Sequence, residues 1–469
     1  MRHPHSSLDD SITELASDKR QLAPTAALAE WIVRGAISPL PLSTTTWAKH
    51  ALLDWFGVAI GGSADPLVDI LVDDVLEEGT QGSGRLLGRA ERVTSVQAAL
   101  INGAASHALD FDDVNQRVYG HPSVAIAPVV LALAERRRSG GREVIEAFVI
   151  GYEVACQLGD MMGPSHDEKG WHATATLGVF GATAAAAKLL GLNVEQTTMA
   201  LGIAATQAAG LQSMFGTMCK PLQVGRAAMN GLLAARWAAR GFTSNAAALE
   251  CHQGFAATHS SSFEVKPLLQ PGDAFAVEAT LFKHHAACFL MHASLDATGA
   301  LRDDHGITAD DVRQLRVRIP RLHLQSCNIP EPQSGAQLKF SIKHVIAMVL
   351  AGLDTGDASV YTAQTATRSD LVVVRNKVQL EAQEWDASCY VAEVSIALRN
   401  GQTVRKFVDA GLPAKDIGLQ WQRLQRKFQR LTRPVIGDGS ADRVMSLLAE
   451  LDDLEDLQPL LDLGTTGSP

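Results

Sequence analysis

Hydrophobic positions follow two patterns along this chain. From Thr25 to about Phe255 they recur at helical spacing, which predicts helices over 26–34, 47–59, 66–78, 128–137, 142–158, 177–190, 194–209 and 225–239. The run Ser95 to Ala105 reads as a further helix built from small residues. Gly191 and Gly241 stand where helix C-termini are expected, and 79–84 and Gly140-Gly141 read as turns. Beyond Gly272 the period changes. Segments 315–319, 377–382, 390–399 and 404–408 alternate as strands do, with Asn400-Gly401 as a hairpin turn and helices expected near 289–301 and 337–353. After Gly411 the helical period returns, from about Leu419 to Leu461.

This predicts a mainly α fold with an α+β domain. Residues 25–272 and 411–469 form a large all-helical bundle, 273–410 an inserted α+β lid, and 1–24 a flexible tail. The cleft between the two domains is the default site. A hydrophobic share of 46% with 20% charged residues fits a globular chain of this length. The net charge of −10 argues against nucleic-acid binding and requires any anionic substrate to find locally gathered cations. Six scattered cysteines (156, 219, 251, 288, 327 and 389) form neither a zinc pattern nor a disulfide framework, so reduced thiols in a cytoplasmic protein are expected. Met1 to Asp10 holds no apolar run of the signal-peptide kind. The small-residue stretch 172–192 is interrupted by His172, Thr174, Thr176 and Lys188, and reads as a buried helix rather than a membrane span.

The densest chemistry lies at His107-Ala108-Leu109-Asp110-Phe111-Asp112-Asp113, followed by Gly120-His121-Pro122-Ser123. If the preceding helix continues, His107, Asp110 and Asp113 share one face. The Gly-His-Pro turn would then stop the helix and fix a second imidazole beside the carboxylates. A carboxylate that orients a histidine builds a general base; a capped helix end with solvated acids is the plainer reading. His172, after Trp171, opens an Ala- and Gly-rich helix, either as a helix cap or as an imidazole near the positive end of the dipole. Lys220 stands among Phe215, Gly216, Met218 and Cys219, just before Pro221, which reads as a helix break, in an apolar setting suited to holding a carboxylate or oxyanion. Arg226 extends the same positive patch.

His284 or His285 with His292 suggests a pair of metal ligands, but no third ligand follows at regular spacing, so no metal is expected. Cys288 and His292 are four apart, a possible but isolated nucleophilic pair. Glycine motifs for nucleotides and the Gly-x-Ser-x-Gly elbow are absent. The reagents that remain are His, Asp, Lys and either Tyr152 or Cys288, and they suit proton transfer beside a carboxylate.

Taken together, these segments resemble the MmgE/PrpD family, which includes 2-methylcitrate dehydratase, cis-aconitate decarboxylase and iminodisuccinate epimerase. The resemblance runs from about residue 25 to about 450. It is carried by Asn102-Gly103 through Asp113, Gly120-His121-Pro122-Ser123, Gly151-Tyr152-Glu153-Val154 and Gly170-Trp171-His172 with 177–183. It continues through Lys220-Pro221-Leu222 with Gly225-Arg226-Ala227-Ala228, and Gly241-Phe242-Thr243. The resemblance implies a helical domain with an α+β lid, a homodimer, and an enzyme needing neither metal nor organic cofactor.

It also implies roles. Asp110, His121, His172, Lys220 and a lid histidine, His292, correspond to catalytic positions, with Tyr152, Lys220, Arg226, His284, His285 and Cys288 toward the substrate. Two positions depart from the family pattern: Gln223 stands where many relatives carry histidine, and Ala286 replaces a proline. The implied activity is that of a lyase, a dehydratase or decarboxylase of a small di- or tricarboxylate. An epimerase and a non-catalytic carboxylate binder are the alternatives. No nucleic-acid or membrane partner is expected.

Overall fold

A computed structural model describes residues 23–34, 39–270, 272–385 and 388–466. The expected N-terminal tail lies almost wholly outside the described residues. The helical half is built on Leu42–Gly62, Ser95–Ala108, Pro122–Arg137, Gly141–Met162, Gly178–Leu190 and Cys219–Ala238. Ala, Leu and Val from these helices fill one continuous core. The stretch Ala173–Leu190 is apolar enough to cross a membrane, yet 89% of it is buried inside the protein.

Small residues set the spacing that matters most. A Cβ on Gly225 would lie 2.2 Å from the Leu100 carbonyl oxygen, and one on Gly103 would lie 3.0 Å from the Gly225 Cα. Helices Ser95–Ala108 and Cys219–Ala238 therefore touch backbone to backbone. That contact brings the C-terminal end of the first beside the N-terminal turns of the second.

A two-stranded ribbon, β1 (Gly84–Arg85) with β2 (Arg92–Val93), precedes the Ser95 helix. The mixed sheet comprises β3 (Val312–Ile319), β4 (Val378–Ala382), β5 (Val391–Leu398) and β6 (Thr403–Asp409) in the order β4-β3-β5-β6. β3 pairs parallel with β4 and antiparallel with β5, and β5 pairs antiparallel with β6 across the Asn400-Gly401 turn. Leu315, Val317 and Ile319 of β3 and Val394 and Ile396 of β5 point into a second core. Helices His292–His305 and Ile342–Leu350 join this core. The C-terminal helices Ile417–Ile436 and Asp438–Ala449 pack back on Leu42–Gly62 and the first core.

Three local expectations are corrected. The Ser95 helix does not run through the acidic cluster. It ends at Ala108, and Asp110 adopts a left-handed φ of 51°, a conformation that Asp tolerates better than most side chains. His107, Asp110 and Asp113 consequently share no helix face. Gly120-His121-Pro122 starts a helix instead of stopping one, because proline in the first turn has no N–H to satisfy: His121 caps Pro122–Arg137. The same reasoning places Pro221 inside the first turn of Cys219–Ala238 rather than at a break.

Candidate active site

The loop from Leu109 to Asp113 is held from outside. The ammonium of Lys339 donates to the Leu109 carbonyl at 2.8 Å, that of Lys283 to the Asp110 carbonyl at 2.7 Å, and that of Lys427 to the Phe111 carbonyl at 2.5 Å. Three consecutive carbonyls are thus fixed by three lysines, two from the region read as the lid and one from the C-terminal helix. Lys427 also sits 4.0 Å from the Phe111 ring centroid and 2.6 Å from an Asp54 oxygen.

Within this frame Asp110 Oδ1 meets two ammonium groups, Lys220 Nζ at 2.8 Å and Lys283 Nζ at 2.9 Å. Burial alone would raise the Asp110 pKa, but Lys220 and Lys283 together hold it well below the usual carboxylate range. Lys283 is nearly inaccessible, whereas Lys220 and Asp110 keep 13% and 18% side-chain exposure and so stay partly open to solvent. Phe215 packs under the Lys220 ammonium, 5.2 Å away. With Lys339 behind it, the carboxylate faces more positive charge than it neutralises, as an anionic ligand requires.

Asp112 is the second anchor. Its Oδ2 accepts from His107 Nδ1 at 2.9 Å and lies 3.1 Å from His121 Nδ1. Burial opposes ionisation of Asp112, and the two imidazoles outweigh it, so the pKa falls well below its ordinary value. His121 Nδ1 also lies 2.7 Å from the Asp113 carbonyl. Two acceptors on one nitrogen require that nitrogen to carry the proton, which makes Nε2 the nitrogen available to a ligand. Asp113 differs: burial pushes its pKa up to about 8 despite the Ser123 hydroxyl that donates to it at 2.5 Å. At neutral pH it is a carboxylic acid.

His172 is oriented by Gln223. The Gln223 amide nitrogen donates to the Leu211 carbonyl at 3.2 Å, which turns Oε1 toward His172 Nδ1 at 2.7 Å. Nδ1 of His172 therefore donates, and Nε2 is a buried lone pair without a protein partner. Burial, reinforced by His107 and Lys220, drives the His172 pKa well down, so the ring is neutral. Burial likewise takes His107 down to about 4, against the pull of Asp112. The three rings cluster, with His107 centred 5.0 Å from His121 and 5.8 Å from His172.

Ligand atoms of His107, Asp112 and His121 lie within 4.8 Å of one another, close enough to hold a cation. The hydrogen bonds place protons on both Nδ1 atoms, so in this arrangement those nitrogens are donors and not metal ligands.

Two family models match the chain, the MmgE/PrpD N-terminal domain over residues 26–268 and the MmgE/PrpD C-terminal domain over 285–453. The chain belongs to the MmgE/PrpD family. It is an enzyme, a lyase of the MmgE/PrpD type. Similar proteins include the cis-aconitate decarboxylase of Aspergillus terreus, 27% identical over 94% of this chain and 95% of that one. The mouse enzyme of the same name is 28% identical over 88% of this chain and 87% of its own. The human one is 27% identical over 90% of each.

The structure distributes the expected residues of this MmgE/PrpD enzyme unevenly. Asp110 pairs with Lys220, and His121 and His172 gather on His107 beside them. The lid histidines stand apart from them. His292 is buried against His285 and Phe289, with its Nε2 3.3 Å from the Ala287 carbonyl. His285 is held by Thr355 and Asp296, and His284 lines a separate cleft. Tyr152 is a core residue whose hydroxyl meets Thr280 at 2.7 Å. Arg226 is exposed on the Cys219 helix. The Cys288 thiol accepts a hydrogen bond from Cys327, 3.6 Å away, and feels the Asp110–Lys283 pair.

Sequence reasoning did not single out Asp112 or Gln223 as the groups that orient His121 and His172, nor Lys283 and Lys339 as cations of the site. The only signal for Asp112 was its place in the acidic run. For Gln223 it was its place where many relatives carry histidine, with a spacing of three from Lys220 along the same helix.

Proposed function

We propose that this enzyme decarboxylates or dehydrates a small di- or tricarboxylate, with cis-aconitate as the first substrate to try and 2-methylcitrate as the second. The observation that carries the proposal is the pair of ammonium groups on Asp110 Oδ1 beside two imidazoles held through Nδ1, that of His172 with its buried Nε2 unpartnered. A substrate carboxylate docks at Lys220, which stays partly open to solvent. In a decarboxylation the bond to the departing carboxylate breaks and its electron pair stays on carbon. The charge spreads onto the adjacent carboxylate as an enediolate, next to Lys220, Lys283 and Lys339. A proton taken up from solvent on His121 Nε2, with Asp112 as counter-charge, is delivered to that carbon. In a dehydration the neutral His172 removes the proton and His121 protonates the leaving hydroxyl. The reading includes independence from metal and cofactor, a homodimer and a cytoplasmic setting, as the family resemblance implies.

An NMR time course in deuterated water with cis-aconitate, 2-methylcitrate, citrate and iminodisuccinate tests this. The expected result is a five-carbon dicarboxylate carrying one solvent deuterium from cis-aconitate, or loss of water from 2-methylcitrate. Turnover of neither, with inversion of iminodisuccinate instead, would replace the lyase by an epimerase.

A further inference from the structure

Behind the catalytic loop lies a second cleft, of about 460 Å³, between the helix Ile417–Ile436 and the residues around His284 and Asp354. It shares Phe111 and Lys427 with the loop but is lined by none of Asp110, Asp112, His121, His172 and Lys220. One wall is basic. Arg423, Arg426 and Arg430 recur at steps of three and four on that helix and present one face. Arg302 faces them from the His292–His305 helix.

Carboxylates answer only part of this charge. Arg430 pairs with Asp354 at 2.5 Å and Arg302 with Asp303 at 2.8 Å, while Arg423 reaches Asp296 only at 3.9 Å. Arg426 has no acidic partner among the described residues. The ring of His284 makes no hydrogen bond among them either, and lines the cleft. The buried Lys427 ammonium is committed to Asp54 and the Phe111 carbonyl. In a chain of net charge −10, four guanidinium groups converging on a concave surface with one left unpaired is an uneven arrangement.

We propose that this cleft binds a small multiply charged anion, a phosphate or polycarboxylate compound, bridging the C-terminal helix to the lid side. Guanidinium groups suit either kind, because each presents paired N–H donors to two oxygens. The bound anion sits against the side of Phe111 and Lys427 that faces away from the substrate. It stiffens the support of the catalytic loop without touching the reacting atoms.

Calorimetry at low ionic strength with pyrophosphate and with tricarballylate, on the full chain, tests the proposal. Three proteins are compared: wild type, Lys220→Ala, and the double variant Arg423→Gln/Arg426→Gln. Both arginines are exposed, so the double variant should keep the wild-type Tm in the absence of ligand. At least one ligand should bind wild type and Lys220→Ala alike and bind the double variant at least tenfold more weakly. Pyrophosphate alone would identify a phosphate site, and both ligands together a site that reads charge. The proposal is overturned by no binding of either ligand at millimolar concentration, by binding lost in Lys220→Ala and kept in the double variant, or by equal binding to all three.

Discussion

Asp112→Asn is the sharpest perturbation of the site, because one oxygen serves two histidines. Oδ2 receives His107 Nδ1 at 2.9 Å and lies 3.1 Å from His121 Nδ1. A hydrogen bond to a charged acceptor contributes about 1.5–3 kcal/mol and one to a neutral acceptor about 0.5–1.5 kcal/mol. Losing the charge from two such contacts therefore weakens the support of the imidazoles by about 2–3 kcal/mol, roughly a 30- to 150-fold loss in turnover. If the amide turns its NH₂ toward the rings, the Nδ1 proton is displaced to Nε2 and the lone pair facing the substrate is lost. The deficit then approaches about 10⁴-fold, the scale on which a wrong histidine tautomer acts. The assay is kcat and KM on the substrate identified by NMR, with Tm measured in parallel. Tm should fall somewhat, since the imidazoles outweigh burial and make the ionised carboxylate net stabilising, but the fold should survive on its own cores. A kcat within threefold of wild type at unchanged Tm would refute the orienting role of Asp112.

Other groups give separate tests. Lys220→Ala removes one ammonium from Asp110 but leaves Lys283 in place; kcat/KM should fall by about 30- to 1,000-fold, on the order of 2–4 kcal/mol, with little change in Tm, and an unchanged kcat/KM would remove Lys220 from carboxylate binding. Gln223→Glu keeps an acceptor for His172 Nδ1 and adds a negative charge, so the acid limb of the kcat profile should move to higher pH; a superimposable profile would show that His172 does not titrate in turnover. Asp113 has a folded pKa of about 8 against an ordinary value near 3.8, so the folded state keeps a proton that the unfolded chain releases. Its contribution to stability is full below about pH 4 and is lost progressively as pH rises to about 8. Asp113→Asn, which stays neutral, should therefore gain Tm relative to wild type across that window, and a constant Tm difference from pH 4 to pH 8 would contradict the assignment.

Which parts of this molecule were legible in the sequence follows from range. The helices and the β5–β6 hairpin were readable because period and turn chemistry are local, and Asn400-Gly401 needs no distant partner. His121, His172 and Lys220 could be singled out because each lies close to a glycine or proline that restricts the backbone, and Asp110 because it stands in the acidic run. The end of the Ser95 helix was not readable. Nothing in Leu109-Asp110 breaks a helix, and the left-handed turn at Asp110 is held by lysines from positions 283, 339 and 427, all far along the chain. The same distance hides the Lys283–Asp110 pair, since a lysine beside two histidines resembles a metal-site flank until the fold turns it away from them. The lid histidines were singled out by spacing, and spacing did not show that His285 faces Thr355 and Asp296 or that His292 packs on Phe289.

The central claim is that His121 and His172 move the proton at a carbon next to a carboxylate, each held through its Nδ1 proton so that Nε2 is the nitrogen that exchanges with substrate. Measuring kcat and Tm on the two single variants His121→Asn and His172→Asn tests it most directly. The account predicts a fall of about 10²–10⁴ in kcat for each, with Tm close to wild type, because the Asp112 and Gln223 contacts are local and the surrounding helices are held by their own cores. A marked loss of Tm with undiminished kcat in both variants would contradict it, and would reduce these histidines to a helix cap and a packed ring.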